Sequence, residues 1–191
     1  MIQMEDCFNT IVIVGKIASG KTTLAEELSK RLNATVVSFG NYVRHIASLK
    51  GIEHNRTNLQ NVGAELIRTI APSQFVKNVF AYGIGNAVLS NSILLVEGVR
   101  HVSILGEIKR ISRKCFVIYI DLADDELMTN ALKRDEKEGG DVKGFFCHEV
   151  ESEIDSLKEY ADYVLTTLPS NGDLIDICKR IENEFCPQDK V

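Results

Sequence analysis

One eight-residue run constrains this chain more than any other. Gly15-Lys16-Ile17-Ala18-Ser19-Gly20-Lys21-Thr22 has the spacing G-x-x-x-x-G-K-T, and Thr23 follows it. The apolar stretch Ile11-Val12-Ile13-Val14 leads into it, and Leu24, Leu28 and Leu32 come after it at helical spacing. A strand, a glycine turn and a helix in that order make an anion cradle, because the loop N–H groups and the positive helix end point at one spot. In this reading Gly15 to Thr23 surround the phosphates of a nucleoside triphosphate. Lys21 adds a cation at the β- and γ-phosphates, and the Thr22 hydroxyl is a ligand for Mg²⁺.

The rest of the chain fits a sheet built around that unit. Nearly continuous apolar runs (TIVIVG, ATVVSF, SILLVE, CFVIYID, DYVLTT) alternate with helical patterns, as in a parallel sheet covered on both faces. Strands are expected at about 10–15, 34–39, 92–97, 115–121 and 162–166. Asp124 is placed to cap a helix bearing Leu127, Met128, Ala131 and Leu132. Ser170 opens an S-x-x-D cap before a last helix with Leu174, Ile177, Cys178, Ile181 and Phe185. More residues separate the second and third strands than a simple crossover needs. Segment 40–91 carries Val43, Ile46, Ala47, Leu59, Val62, Leu66 and Ile67, so it reads as a helical insertion at the carboxyl edge of the sheet, where ligands bind. Residues 135–147, DEKEGGDVKGFFC, read as a lid, and the tail after Phe185 as frayed. The whole, 1–191, is read as one domain.

Composition narrows the class. A net charge of -5 argues against broad binding to nucleic acid, which favours a basic face. No apolar run approaches the roughly 20 residues that span a bilayer, and the first ten residues carry acids where a signal peptide has cations. Five cysteines, an odd number with no C-x-x-C pair, indicate reduced thiols and a cytoplasmic setting. The length excludes most AAA+ machines, and no guanine-reading N-K-x-D is present. A monomer or a homodimer is expected.

Two further stretches address the second substrate. Ser38-Phe39-Gly40-Asn41-Tyr42-Val43-Arg44 ends the second strand, and Leu94-Leu95-Val96-Glu97-Gly98-Val99-Arg100 ends the third. Each puts an arginine a few residues beyond a glycine, at the sheet edge that faces the phosphate loop. A planar guanidinium makes two parallel charged hydrogen bonds to phosphate. Transfer of a phosphoryl group between two anions needs both neutralised. Glu97, a carboxylate ending an apolar strand beside the loop, is an expected Mg²⁺ partner. Tyr42, His45 and His101 are read as packing or surface residues.

In these stretches the chain resembles the nucleoside monophosphate kinase family, adenylate kinase and its relatives. SFGNYVR and VEGVR look like that family's T-G-D-x-x-R and D-G-x-x-R segments. Arg56 to Gly63 (RTNLQNVG) and VEGVRH look closest to phage deoxynucleoside monophosphate kinases and related nucleotide kinases. The resemblance implies a three-layer α/β P-loop fold with a five-stranded parallel sheet in the order 2-3-1-4-5. It implies ATP and Mg²⁺, with Arg44 and Arg100 on the acceptor phosphate, Glu97 on the Mg²⁺ water shell and Gln60 at the acceptor. Arg134 falls on the second arginine of the lid base, and Asn130 replaces the first. Asn41 stands where the family has Asp, and the lid has Lys133, Lys137 and Lys143 but no arginine after Arg134. The expected reaction moves the γ-phosphoryl of ATP to a nucleoside or deoxynucleoside monophosphate. Two alternatives are a kinase for a hydroxyl acceptor, such as a coenzyme precursor or modified base, and a regulatory ATPase that is no kinase.

Overall fold

Five parallel strands, β1 (Asn9–Gly15), β2 (Thr35–Ser38), β3 (Ile93–Glu97), β4 (Lys114–Ile120) and β5 (Tyr163–Leu165), lie side by side in the order β2-β3-β1-β4-β5. The sheet order is the expected one. The computed structural model describes residues 8–85, 93–138 and 149–185. Alternate residues of each strand feed two cores. Val12, Val14, Leu94, Val96, Val117 and Tyr119 face one side, and Ile11, Ile13, Leu95, Phe116, Ile118 and Ile120 the other. Both faces are therefore apolar, which is why the strands read as unbroken hydrophobic runs. Burying each large aliphatic side chain contributes about 1.5–3 kcal/mol.

On one face pack α2 (Phe39–Leu49), α3 (Arg56–Thr69), α4 (Pro72–Ile84), α5 (Val102–Ile111) and α7 (Glu149–Ser156). On the other lie α1 (Lys21–Leu32), α6 (Asp124–Glu138) and α8 (Asn171–Phe185). Segment 40–91 is mainly helical as expected over its described part, since α2, α3 and α4 succeed one another there with short connections at 50–55 and 70–71.

Several boundaries differ from expectation for local reasons. Phe39 was expected in the second strand, yet it opens α2, because the Ser38 side chain caps that helix by accepting from the Asn41 N–H at 3.2 Å. Asp124 is not a cap but the first residue of α6; the Leu127 N–H bonds the Ala123 carbonyl at 3.0 Å, which puts the turn one residue earlier. Helix α6 continues to Glu138, so the first residues of the expected lid are helical. The rest of that lid, 139–147, and the tail after Phe185 lie outside the described residues. Of the cysteines, Cys115 and Cys178 are free thiols, while Cys7, Cys147 and Cys186 lie outside the described residues. Burial pushes the Cys115 thiol up to about 12, too high for a reactive thiolate at neutral pH.

The S-x-x-D cap forms as expected. The Asp173 N–H donates to Ser170 Oγ at 3.3 Å, while the Ser170 N–H donates back to Asp173 Oδ2 at 2.8 Å. Ser170→Ala is expected to cost about 1 kcal/mol, read as a lower urea midpoint with an unchanged slope. The Ser170 hydroxyl, and then its N–H, hold the Asp173 carboxyl below its ordinary value. This support is present above the unfolded carboxylate value and is lost as pH falls through the depressed folded one.

Candidate active site

The loop between β1 and α1 takes a shape that few sequences accept. Gly20, the residue before α1, has φ +82°, and Ala18 has φ +60°. Left-handed residues interrupting a right-handed path turn successive N–H groups toward one concavity, an anion nest. Glycine meets the requirement at position 20 without steric cost. At Ala18 an L-residue holds the strained conformation, as functional loops often do. Lys21 Nζ folds over this loop and donates to the Gly15 carbonyl at 2.8 Å, the Lys16 carbonyl at 2.6 Å and Ser19 Oγ at 3.3 Å. The ammonium thus sits at the cradle it is expected to serve.

Strand register assembles the next layer. Glu97 pairs with Ile13 on one side and with Ser38 on the other, so the ends of β2 and β3 lie level, two residues short of the end of β1. The Glu97 carboxylate accepts from Thr22 Oγ1 at 3.3 Å and from the Ser38 hydroxyl. The two expected metal ligands, far apart in sequence, are therefore neighbours. A hydroxyl and a carboxylate are hard oxygens, and this donor set fits Mg²⁺, which keeps several waters and takes few protein ligands. Ser38 has a role here that its segment alone does not suggest. Its signal was a hydroxyl at the last residue of a strand, where it caps a helix and reaches the acid on the adjoining strand.

The two arginines sit on elements that touch. The guanidinium of Arg44, on α2, lies 3.5 Å from where a side-chain carbon on Gly40 would stand, and it donates to Asn41 Oδ1 at 3.0 Å. Gly98, with φ +85°, runs so close to α2 that a side-chain carbon there would be 3.4 Å from the Gly40 nitrogen. That angle favours glycine, and the loop lies in van der Waals reach of α2. Arg100 follows two residues later and is half-buried. Asn41 orients Arg44 through a neutral amide, so this contact leaves the guanidinium charge unneutralised.

The remaining expected residues are scattered more widely. Gln60 is half-buried on α3. Arg134 lies on α6, but its side chain is outside the described structure. Asn130 donates from Nδ2 to the Ala18 carbonyl at 3.3 Å and so braces the strained loop residue. Beside it opens a cleft of about 240 Å³ lined by Asp125, Glu126, Thr129, Asn130, Lys133 and Leu168. Leu168 reaches the P-loop, with a methyl 3.0 Å from where a side-chain carbon on Gly20 would sit. Tyr42 is buried between Phe75 and Tyr82, with ring centroids 5.9 Å and 5.7 Å away, and His45 stacks on Tyr82 at 4.7 Å. These rings join α2 to α4.

Known proteins share this fold. The model of a family described as AAA domain matches residues 14–144, from the end of β1 through the phosphate loop and past α6. No curated protein matches the sequence. Among solved structures, a candidate kinase from Chloroflexus aurantiacus is similar with a TM-score of 0.59 at 17% identity, over 94% of this chain and 99% of that one. Shikimate kinase from Acinetobacter baumannii, solved with shikimate, gives 0.55 at 15%, over 97% of each chain. A gluconokinase from Sinorhizobium meliloti gives 0.51 at 11%, over 96% and 99%. At these identities the likeness is one of fold, and the fold is that of P-loop kinases.

Proposed function

We propose a reaction for this chain from one premise: it belongs to the AAA domain family, with the P-loop at Gly15–Thr22 intact. The reaction is transfer of the γ-phosphoryl of ATP to a nucleoside or deoxynucleoside monophosphate. Carrying this reading is the corner where Gly98 packs on Gly40 and brings the Arg100 loop against the Arg44 helix, beside Glu97 and Thr22. Lys21, Thr22 and the loop N–H groups hold the donor phosphates, and Arg44 and Arg100 grip the acceptor phosphate. Thr22 and Glu97 would hold Mg²⁺, which would supply charge neutralisation at the donor phosphates. Because a phosphate acceptor is already ionised, the chain needs no strong base, and its own groups contribute alignment and electrostatic preorganisation. Gln60, Arg134 and residues 135–147 are assigned to the acceptor pocket and the donor lid on the same reading, within one domain that works in the cytoplasm.

A second reading, a hydroxyl acceptor, draws on the likeness to shikimate kinase and gluconokinase. Such an acceptor benefits from a carboxylate base. The carboxylate placed at this corner is Glu97, and it already accepts two hydroxyl hydrogen bonds. That favours the anionic acceptor. The deciding experiment is an ATP-consumption screen over nucleoside monophosphates and small hydroxyl acids. Turnover with a monophosphate supports the first reading, and turnover with the hydroxyl set alone replaces it. Hydrolysis that ignores every acceptor points to a regulatory ATPase.

Arg44→Lys separates charge from geometry. Lysine keeps the cation and loses the paired hydrogen bonds. The acceptor KM is expected to rise about tenfold, with kcat changed much less, as for loss of one charged bidentate contact. An unchanged KM in steady-state kinetics would remove Arg44 from the acceptor site.

A further inference from the structure

Two acids on α7 reach in different directions. Asp155 Oδ1 lies 3.6 Å from the Lys16 ammonium of the phosphate loop and accepts from the Tyr119 hydroxyl at 3.2 Å. Glu153 Oε2 lies 2.7 Å from His101 Nδ1. His101 adjoins Arg100 and stands at the start of α5. Residues two apart on a helix do not share a face. Helix α7 therefore stands between the loop that binds the donor and the loop that carries an acceptor arginine.

The helix is well anchored there. Ile154 is 1% exposed and the following Leu157 is fully buried, in the same core as Val99, Ile104 and Tyr119. Just beyond α7, Lys158 Nζ bonds Asp121 at 2.7 Å and the Tyr160 carbonyl accepts from Lys109 at 3.4 Å. Lys16 also lies 3.8 Å from Asp124 at the start of α6.

We propose that Asp155 and Glu153 are positioning residues that make the Arg100 loop respond to occupancy of the phosphate loop. The proposal rests on the reading that Gly15–Thr22 binds a triphosphate and Arg100 serves the acceptor. Ion pairs as exposed as Lys16–Asp155 are weak. A multiply charged triphosphate in the loop outcompetes Asp155 for the Lys16 cation. Asp155 then keeps the Tyr119 hydroxyl but loses its counter-charge, two residues from Glu153 on the same anchored turn. The Glu153–His101 contact answers either by a shift of the helix or by the altered field. In either case the setting of the neighbouring Arg100 changes when the donor arrives.

The test uses the full chain and the non-hydrolysable probe Mg²⁺–β,γ-imido-ATP, with affinity read by calorimetry and the His101 imidazole by NMR. In the unsubstituted chain, saturation with the probe is expected to move the His101 signals. Asp155→Asn keeps an oxygen for Tyr119 and removes the nearer of the two acids that compete for Lys16. It should bind the probe about two- to fivefold more tightly and lose most of the His101 response. Glu153→Gln, at an exposed position, should change probe affinity by less than about twofold, because coupling is reciprocal and small here, and also lose the response. Probe binding with no His101 response in the unsubstituted chain, or the same response in Asp155→Asn, overturns the coupling alone. Failure of the probe to bind overturns both the coupling and the phosphotransfer reading.

Discussion

Replacing Lys21 with alanine is expected to leave a folded protein that no longer transfers phosphoryl groups. The ammonium sits over the loop, on the carbonyls of Gly15 and Lys16, and in the transition state it would offset charge spreading over the transferred group. Removing one preorganised donor of this kind costs about 10²–10³ in kcat, and a full cation at a phosphoryl group up to about 10⁵. Turnover should therefore fall by at least about 10³-fold. The carbonyls that lose Lys21 lie in a partly exposed loop where water replaces it, so the melting midpoint should stay close to that of the unsubstituted chain. ATP-consumption assays beside a circular dichroism melt separate the two effects. Retained transfer in a folded Lys21→Ala protein would end the assignment of Lys21 to catalysis.

Glu97→Gln probes the other half of the donor site. Glutamine keeps the length of the side chain and an oxygen for the Ser38 and Thr22 hydroxyls, but not the charge. A divalent ion or its water shell then faces a neutral amide. The Mg²⁺ concentration for half-maximal turnover should rise by an order of magnitude or more, with kcat down about 10²-fold. Ser38→Ala removes one hydroxyl that orients the carboxylate while its charge stays in place, so its effect should be smaller and recoverable at high Mg²⁺. A Mg²⁺ titration of both proteins distinguishes charge from orientation. An unaltered titration in Glu97→Gln would take Glu97 out of the ion's surroundings.

Much of this framework was legible in the residues because burial on both faces writes itself into strands. Ile11 to Val14 and Phe116 to Ile120 are apolar at every position since each side chain meets a core. The phosphate loop was equally legible, because Gly20 and Lys21 are required by backbone angle and charge rather than by packing. Boundaries were less so. Phe39 suits a strand by propensity, and a hydrogen bond from Asn41 to Ser38, set by three-dimensional proximity, turned it into a helix start. Asp124 has the chemistry of a cap, yet the turn formed one residue earlier, and the side chain became a first-turn acid instead. The role of Ser38 was invisible for another reason. It depends on the register that sets Ser38 opposite Glu97, and register belongs to the pairing of strands, not to either segment alone. For Asn130 the sequence showed the loss of an arginine; its contact with the Ala18 carbonyl came only with the fold.

The position of Glu97 carries one more consequence. It lies on an interior strand, hydrogen-bonded into β2 on one flank and β1 on the other. Backbone amides in such a place exchange with solvent only when the middle of the sheet opens, at a free energy near that of global unfolding. The carboxylate is thus fixed by the most persistent part of the molecule, whereas Arg44 and Arg100 stand on a helix and a loop outside the sheet. On warming, the metal-side geometry should survive until the whole chain melts, and grip on the acceptor should loosen first.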